Sequence, residues 1–438
     1  MKRLAILCIC FVSSIALAGI SRASLLPQKV VLDNGLVLIT SEQNSLPIIS
    51  FHLLVKAGSR YDPNGAEGLA NLVSDLLTFG TTRKTAVEIS EAVDFIGARL
   101  STDASRDVAT VSLSLLKKDL DKGLELLAEI LTQANFPEEE VQRQKKSILA
   151  SIKAKGERPR AIARDNFRAA LFPNSPYGRT VEGTEKTVKK ITRPELLKFY
   201  KAFYRPSRSI LAVVGDVSQK ELKEKLNRVF RSWEPSSFSQ EPQAPASSSA
   251  AELIQINKDL TQANIIMGHQ GIRRSHPDYY SVSVMAYILG GGGLSARLPD
   301  AIRNERGLAY SVRASFSAHK HQGTFQVSMQ TKNESADEAM GVALDEIRRI
   351  RNDLVTEEEL ESAKTYLIGS FPLRLLTNQQ IARFLAQVEY LNLGLDYPEH
   401  YPQLIRQVTQ EDVRRVARAH LHPERLIIVM VANLEKVR

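Results

Sequence analysis

The sequence predicts an α+β protein of two homologous domains, each a mainly antiparallel sheet covered by helices on one face. Three observations carry this: a gapless internal repeat, a Pro/Ser/Ala-rich stretch between the two copies, and strands bunched as hairpins with amphipathic helices between them. Residues 192–217, TRPELLKFYKAFYRPSRSILAVVGDV, align with residues 409–434, TQEDVRRVARAHLHPERLIIVMVANL. Thr192 matches Thr409, Ala202 matches Ala419, Pro206 matches Pro423 and Val214 matches Val431. Each copy reads as an amphipathic helix, a proline-marked turn and a buried strand rich in β-branched residues. PEEEVQRQKKSILAS (137–151) and TEEELESAKTYLIGS (356–370) form a second pair, each a helix with acidic residues in its first turn.

Along the chain, residues 1–23 have a basic start (Lys2, Arg3), an apolar run from Leu4 to Ala18 and small residues at Ala16, Ala18 and Ala23. This is a signal peptide, cut after Ala18 or Ala23, because the run is shorter than the ~20 residues of a membrane span. No later stretch is apolar enough to span a bilayer. The export sequence points to the periplasm of a Gram-negative bacterium.

Residues 24–233 form the first domain. QKVVLDNGLVLITSEQ places Asp33-Asn34-Gly35 between apolar runs, a hairpin signal. IISFHLLVKAG is a further strand, and EGLANLVSDLLTFG opens a helix on Leu69, Leu72, Val73, Leu76 and Leu77. DVATVSLSLL alternates as a half-buried strand before the helix KDLDKGLELLAEILTQA. Residues 234–252 are a flexible linker by composition, and 253–438 repeat the design.

Composition narrows the chemistry. Of 438 residues, 43% are hydrophobic and 24% charged, which excludes a disordered chain. Both cysteines, Cys8 and Cys10, lie in the signal, so the mature chain has neither a disulfide framework nor a thiolate metal site. Losing Lys2, Arg3 and Arg22 lowers the formal charge from +9 to +6. No arginine–aromatic cluster of a nucleic-acid module is present. The basic balance favours acidic peptides or an anionic surface as partners. There is no Gly-x-Ser-x-Gly elbow and no nucleophilic cysteine. His319 and His321 fall at a hairpin tip, and His420 and His422 in the turn after a helix; both pairs lack a spaced third ligand and read as surface residues.

The Asp-Asn-Gly near the mature N-terminus, GLANLVSDLLTFGTT, GLAYSV in the second half and the two α+β halves together resemble the pitrilysin/insulinase family of zinc metallopeptidases. The resemblance covers nearly the whole mature chain. It implies a half-clam that pairs with a homologous half around a peptide-holding chamber, and a His-x-x-Glu-His zinc helix. That chemistry needs two histidines one helical turn apart and a glutamate to take a proton from metal-bound water. At the matching positions this chain has Asn71, Ser74 and Asp75. The family's downstream glutamate ligand falls at Ser151, and a supporting glutamate at Gln144. The expectation is no zinc in this helix and no hydrolysis by this chain alone.

Two further features follow the family. Arg303 and Tyr310, in IRNERGLAY, have the spacing of its arginine–tyrosine pair, suited to gripping a peptide carbonyl and donating to an oxyanion. Otherwise they are a surface cation and a packed strand residue. Gly290, Gly291, Gly292 and Gly293, in LGGGGLSARL, read as an open loop with accessible N–H groups, similar to the glycine-rich loop of the substrate-recognising subunit of the mitochondrial processing peptidase. A plain helix connector is the equal alternative. The resemblance thus implies a non-catalytic, peptide-binding subunit with no cofactor of its own, whose partner is a homologous His-x-x-Glu-His subunit that carries zinc. The alternative is a peptide-binding or assembly scaffold without a part in proteolysis.

Overall fold

The structure, a computed structural model, describes residues 27–235 and 251–437. The signal segment 1–23 and linker residues 236–250 lie outside the described residues. Two sheets organise the chain. The first comprises β1 (Gln28–Val31), β2 (Val37–Glu42), β3 (Ile48–Val55), β4 (Arg99–Ala104), β5 (Ala109–Leu116) and β6 (Ser209–Gly215), in the order β1-β2-β6-β3-β5-β4. The second comprises β7 (Glu252–Asn257), β8 (Gln262–Gly271), β9 (Ala309–Ala318), β10 (Gly323–Lys332) and β11 (Ile427–Ala432), in the order β7-β11-β8-β10-β9. Pairing is antiparallel except for β2 with β6 and β7 with β11, which are parallel. The two orders superpose element by element once the extra edge strand β1 is set aside.

The repeat explains the correspondence. Thr192 and Thr409 each cap a helix, Arg193–Phe203 and Gln410–His420, with a reciprocal bond to Glu195 and Asp412 three residues on. Each helix then leads through a proline turn into the central strand, β6 or β11. On one face of β6, Leu211 and Val213 join the first core with Leu53, Val73 and Leu124. On one face of β11, Met430 and Ala432 join the second core with Met267, Phe325 and Val413.

The sequence reading supplies one helix layer per sheet, and the structure adds a cover to the opposite faces. Helix Asn378–Tyr390 of the second half lies on β3 and β6, with Ile381, Ala382, Leu385 and Ala386 packed on Ile39, Leu54, Ile210, Ala212 and Val214. Helix Pro159–Leu171 of the first half lies on β8 and β11, with Ala163, Phe167 and Leu171 on Ile266, Ile427, Val429 and Val431. Each half therefore lends one helix to the other. This is why both central strands are buried on both faces and read as unbroken apolar runs. Among the described residues no helix is long and apolar enough to cross a membrane.

Candidate functional site

The helix with the family's zinc frame spans Leu69–Leu76. It begins after Gly68, at φ +99°, where a side chain would meet the carbonyl of Glu182 at 2.6 Å. The cap comes from a distance: Asp62 accepts the N–H of Gly68 at 2.9 Å and of Ala70 at 2.8 Å. Burial drives the Asp62 pKa up to about 7 against the pull of these two bonds.

Five positions on this helix and its neighbour answer to the metal centre that the resemblance implies. Asn71 Nδ2 donates to Asp75 Oδ2 at 3.0 Å, and Gln144 Nε2, from helix Glu138–Gly156, donates to the same oxygen at 3.1 Å. Burial raises the Asp75 pKa and Asp103 on β4 adds to it, against the two amide bonds. Ser74 has 0% exposure, and its Oγ is buried against the similarly buried hydroxyl of Tyr204. Ser151 is exposed, seven residues and about 10 Å along the helix from Gln144. The structure therefore brings Asn71, Asp75 and Gln144 together, turns Ser74 into the core and leaves Ser151 outside. Two amides donating to one carboxylate oxygen are not a zinc donor set, and no base faces a metal position. These residues do not fit zinc.

The second half gathers Arg303 and the glycine run in one cleft, with Tyr310 beside Arg303. Helix Tyr279–Ala286 runs on into a π-helical turn, Tyr287–Gly291, and a second π-helical turn, Asp300–Asn304, precedes β9. Such turns recur at functional sites. Arg303 lies in the second turn, and its guanidinium carbon is 5.5 Å from the centre of the Tyr310 ring. Tyr310 is the extra residue of a β-bulge: Ala309 pairs with Thr331 and Ser311 with Gln330, so Tyr310 has no partner in the ladder. The bulge aims its ring outward, at 76% exposure, which removes the reading of Tyr310 as a packed strand residue.

The glycine run corrects the sequence reading. Gly290 and Gly291 belong to the first π-helical turn, and the N–H of Gly292 is bonded to the carbonyl of Tyr287 at 2.9 Å. Glycine is required at 290 by close approach, since a Cβ there would lie 2.5 Å from the backbone nitrogen of Ala314 on β9. Gly293, at φ +72°, ends the turn in open space. All four glycines, with Arg303, line a cleft of about 630 Å³ that also takes in Arg160, Arg313 and the ring pair Tyr287–Tyr366. Three guanidiniums line it and no carboxylate does. Arg160 comes from the helix that the first half lends to the second, so nothing local in the sequence could have assigned it to this cleft. Arg313 directly follows GLAYSV in β9, where the sequence alone does not say which face of the sheet it takes.

Comparison with known proteins agrees with both halves. Residues 37–185 match the model described as Insulinase (Peptidase family M16), and residues 190–367 match the Peptidase M16 inactive domain. The chain belongs to peptidase family M16. A Rickettsia bellii protein named an uncharacterized zinc protease is 28% identical over 88% of this M16 chain and 93% of its own. A Helicobacter pylori protein named a non-peptidase homolog, YmxG, is 26% identical over 95% of this chain and 96% of its own. The crystal structure of a peptidase M16 inactive domain from Pseudomonas fluorescens superposes with a TM-score of 0.87 at 28% identity, covering 93% of this chain and 97% of that one. The M16 chain thus has a peptidase-like fold.

A cluster that sequence reasoning missed lies elsewhere in the second half. His420 does not stand alone: His276 and Asp278 meet it, and one ligand atom from each falls within 4.8 Å of the others. The reading of His420 as a surface histidine without a third ligand is corrected, since the third group comes from a turn more than 140 residues earlier.

Proposed function

We propose that this M16 chain is the exported, non-catalytic, substrate-binding subunit of a two-chain zinc peptidase. A homologous His-x-x-Glu-His subunit supplies the metal and the general base, and the pair encloses a peptide-holding chamber in the periplasm. The observation that carries the reading is the carboxylate-free cleft in which Arg303, beside Tyr310, keeps company with Arg160 and Arg313. A guanidinium there can fork onto a peptide carbonyl or a carboxylate, and the exposed phenol can donate to an oxyanion that forms as the peptide bond is attacked. Asn71, Ser74, Asp75 and Gln144 have no part in that chemistry.

The test is an affinity pull-down of the tagged mature chain from its own host, with each fraction assayed for chelator-sensitive peptide cleavage. The reading expects a stoichiometric M16 partner bearing His-x-x-Glu-His and activity that follows the pair. A chain that purifies alone, or with unrelated partners and no cleavage, overturns it in favour of a scaffold.

A further inference from the structure

The His276–Asp278–His420 cluster sits where the N-terminal end of helix Tyr279–Ala286 meets the C-terminal end of helix Gln410–His420. We propose that His276, Asp278 and His420 form a binding site for a single divalent transition-metal ion of the zinc class, separate from the degenerate zinc helix. The site staples the two helix ends of the second half together.

The geometry supports it atom by atom. His420 Nε2 is 2.7 Å from Asp278 Oδ2, and His276 Nδ1 is 3.9 Å from the same oxygen. Donors held about 2.0–2.1 Å from a tetrahedral metal stand about 3.3 Å apart, so one contact must open and the other close by about 0.6 Å. The two imidazole rings face each other edge-on, with centroids 5.0 Å apart at 85°. His276 Nδ1 accepts the backbone N–H of Asp278 at 3.1 Å, which puts its own proton on Nε2, and it gives up that bond to take the metal. Two imidazoles and one carboxylate are the donor set of an open, three-ligand zinc site.

The surroundings fit the same role. Asp278 occupies the cap position of helix Tyr279–Ala286 but makes no cap bond with its side chain. Its carboxylate is turned to the cluster instead, and Arg415 Nη1 holds Oδ1 at 2.8 Å. That leaves Oδ2 for a metal and fixes the carboxylate's orientation from outside the ligand set. The His276 side chain is 39% exposed, so an ion reaches the cluster from solvent. Binding breaks the bond between His420 Nε2 and Asp278 Oδ2, so that both atoms turn lone pairs to the metal and the ring carries its one proton on Nδ1.

The experiment is calorimetric titration of the metal-free mature chain with zinc chloride. The expected result is one site per chain. His276→Ala and His420→Ala should each weaken the site at least about tenfold, since removing a ligand costs no less than removing its outer-shell support. Asp75→Asn should leave it unchanged. His276 is the more exposed ligand, and its replacement leaves the Asp278–His420 and Asp278–Arg415 bonds intact, so this variant folds even if His420→Ala does not. No stoichiometric binding by the wild-type chain overturns the proposal. So does a site that survives His276→Ala at full affinity, or one that is lost in Asp75→Asn.

Discussion

Gln144 donates from one helix to Asp75 on another, 3.1 Å apart, at the place where the family's zinc frame predicts a glutamate and a histidine. With Asn71 on the same oxygen, Asp75 is the centre of a closed polar network. Beside it, the Ser74 hydroxyl is buried against that of Tyr204. Ser74→Ala leaves the Tyr204 hydroxyl buried alone and should cost about 1–3 kcal/mol. Ser74→Glu, which restores the family residue, should cost several kcal/mol, because it buries a carboxylate with no counter-charge. Urea denaturation of both variants measures this, and a fully stable Ser74→Glu protein would contradict the placement of residue 74 in the core.

Asp62 makes the same helix sensitive to pH. Its folded pKa of about 7 lies above the ordinary carboxylate value, so the folded state holds the proton to higher pH than the unfolded chain. The contribution to stability is full below about 4 and is lost as pH rises through 7, with a slope of up to about 1.4 kcal/mol per pH unit. Asp62→Ala orphans the N–H groups of Gly68 and Ala70, at about 1–3 kcal/mol each. The variant should be clearly less stable than wild type at pH 5, with a smaller gap at pH 8. A gap that widens with pH would reverse the sign argued for this group.

Arg303 and Tyr310 should act on turnover and not on assembly. In the assembled peptidase pair, Tyr310→Phe removes one oxyanion donor and should lower kcat by about 10²–10³-fold. Arg303→Ala should raise KM more than it lowers kcat, because a guanidinium on a ground-state carbonyl binds substrate and transition state alike. Size-exclusion profiles of both pairs should match wild type. Unchanged kinetics in both variants would count against the proposed role.

The glycine run separates packing from conformation. Gly290→Ala must displace β9 at Ala314 and should cost about 1–3 kcal/mol. Gly293→Ala meets no neighbour and pays only for its positive φ, about 1 kcal/mol. Thermal melts that rank the two in the opposite order would show that the turn is not seated on β9 as described.

The exchanged helices should make the halves melt as one unit. Leu385 of the second half is fully buried on the first sheet, so Leu385→Ala should cost about 2–5 kcal/mol. It should lower the unfolding temperature of both halves together. Two separated transitions in the wild-type chain would refute that coupling.

Much of this architecture was legible in the sequence because it rests on local signals. Thr192 and Thr409 announce their helices through cap chemistry, Asp33-Asn34-Gly35 its hairpin, and the alternation over residues 109–116 its strand. The residue types at the positions the resemblance assigns to a zinc frame, Asn71, Ser74 and Asp75, are likewise read directly from the sequence. Tertiary structure alone decided what lies on the second face of each sheet, since β6 and β11 advertise two buried faces without naming what covers them. It decided that Tyr310 is the unpaired residue of a bulge and that Gly290 is pressed on β9, because both follow from strand register. It also brought Arg160 to Arg303 and His276 to His420. Helical and strand periods are written within a few residues of sequence, whereas these meetings are set by how the two halves exchange helices and close their cores.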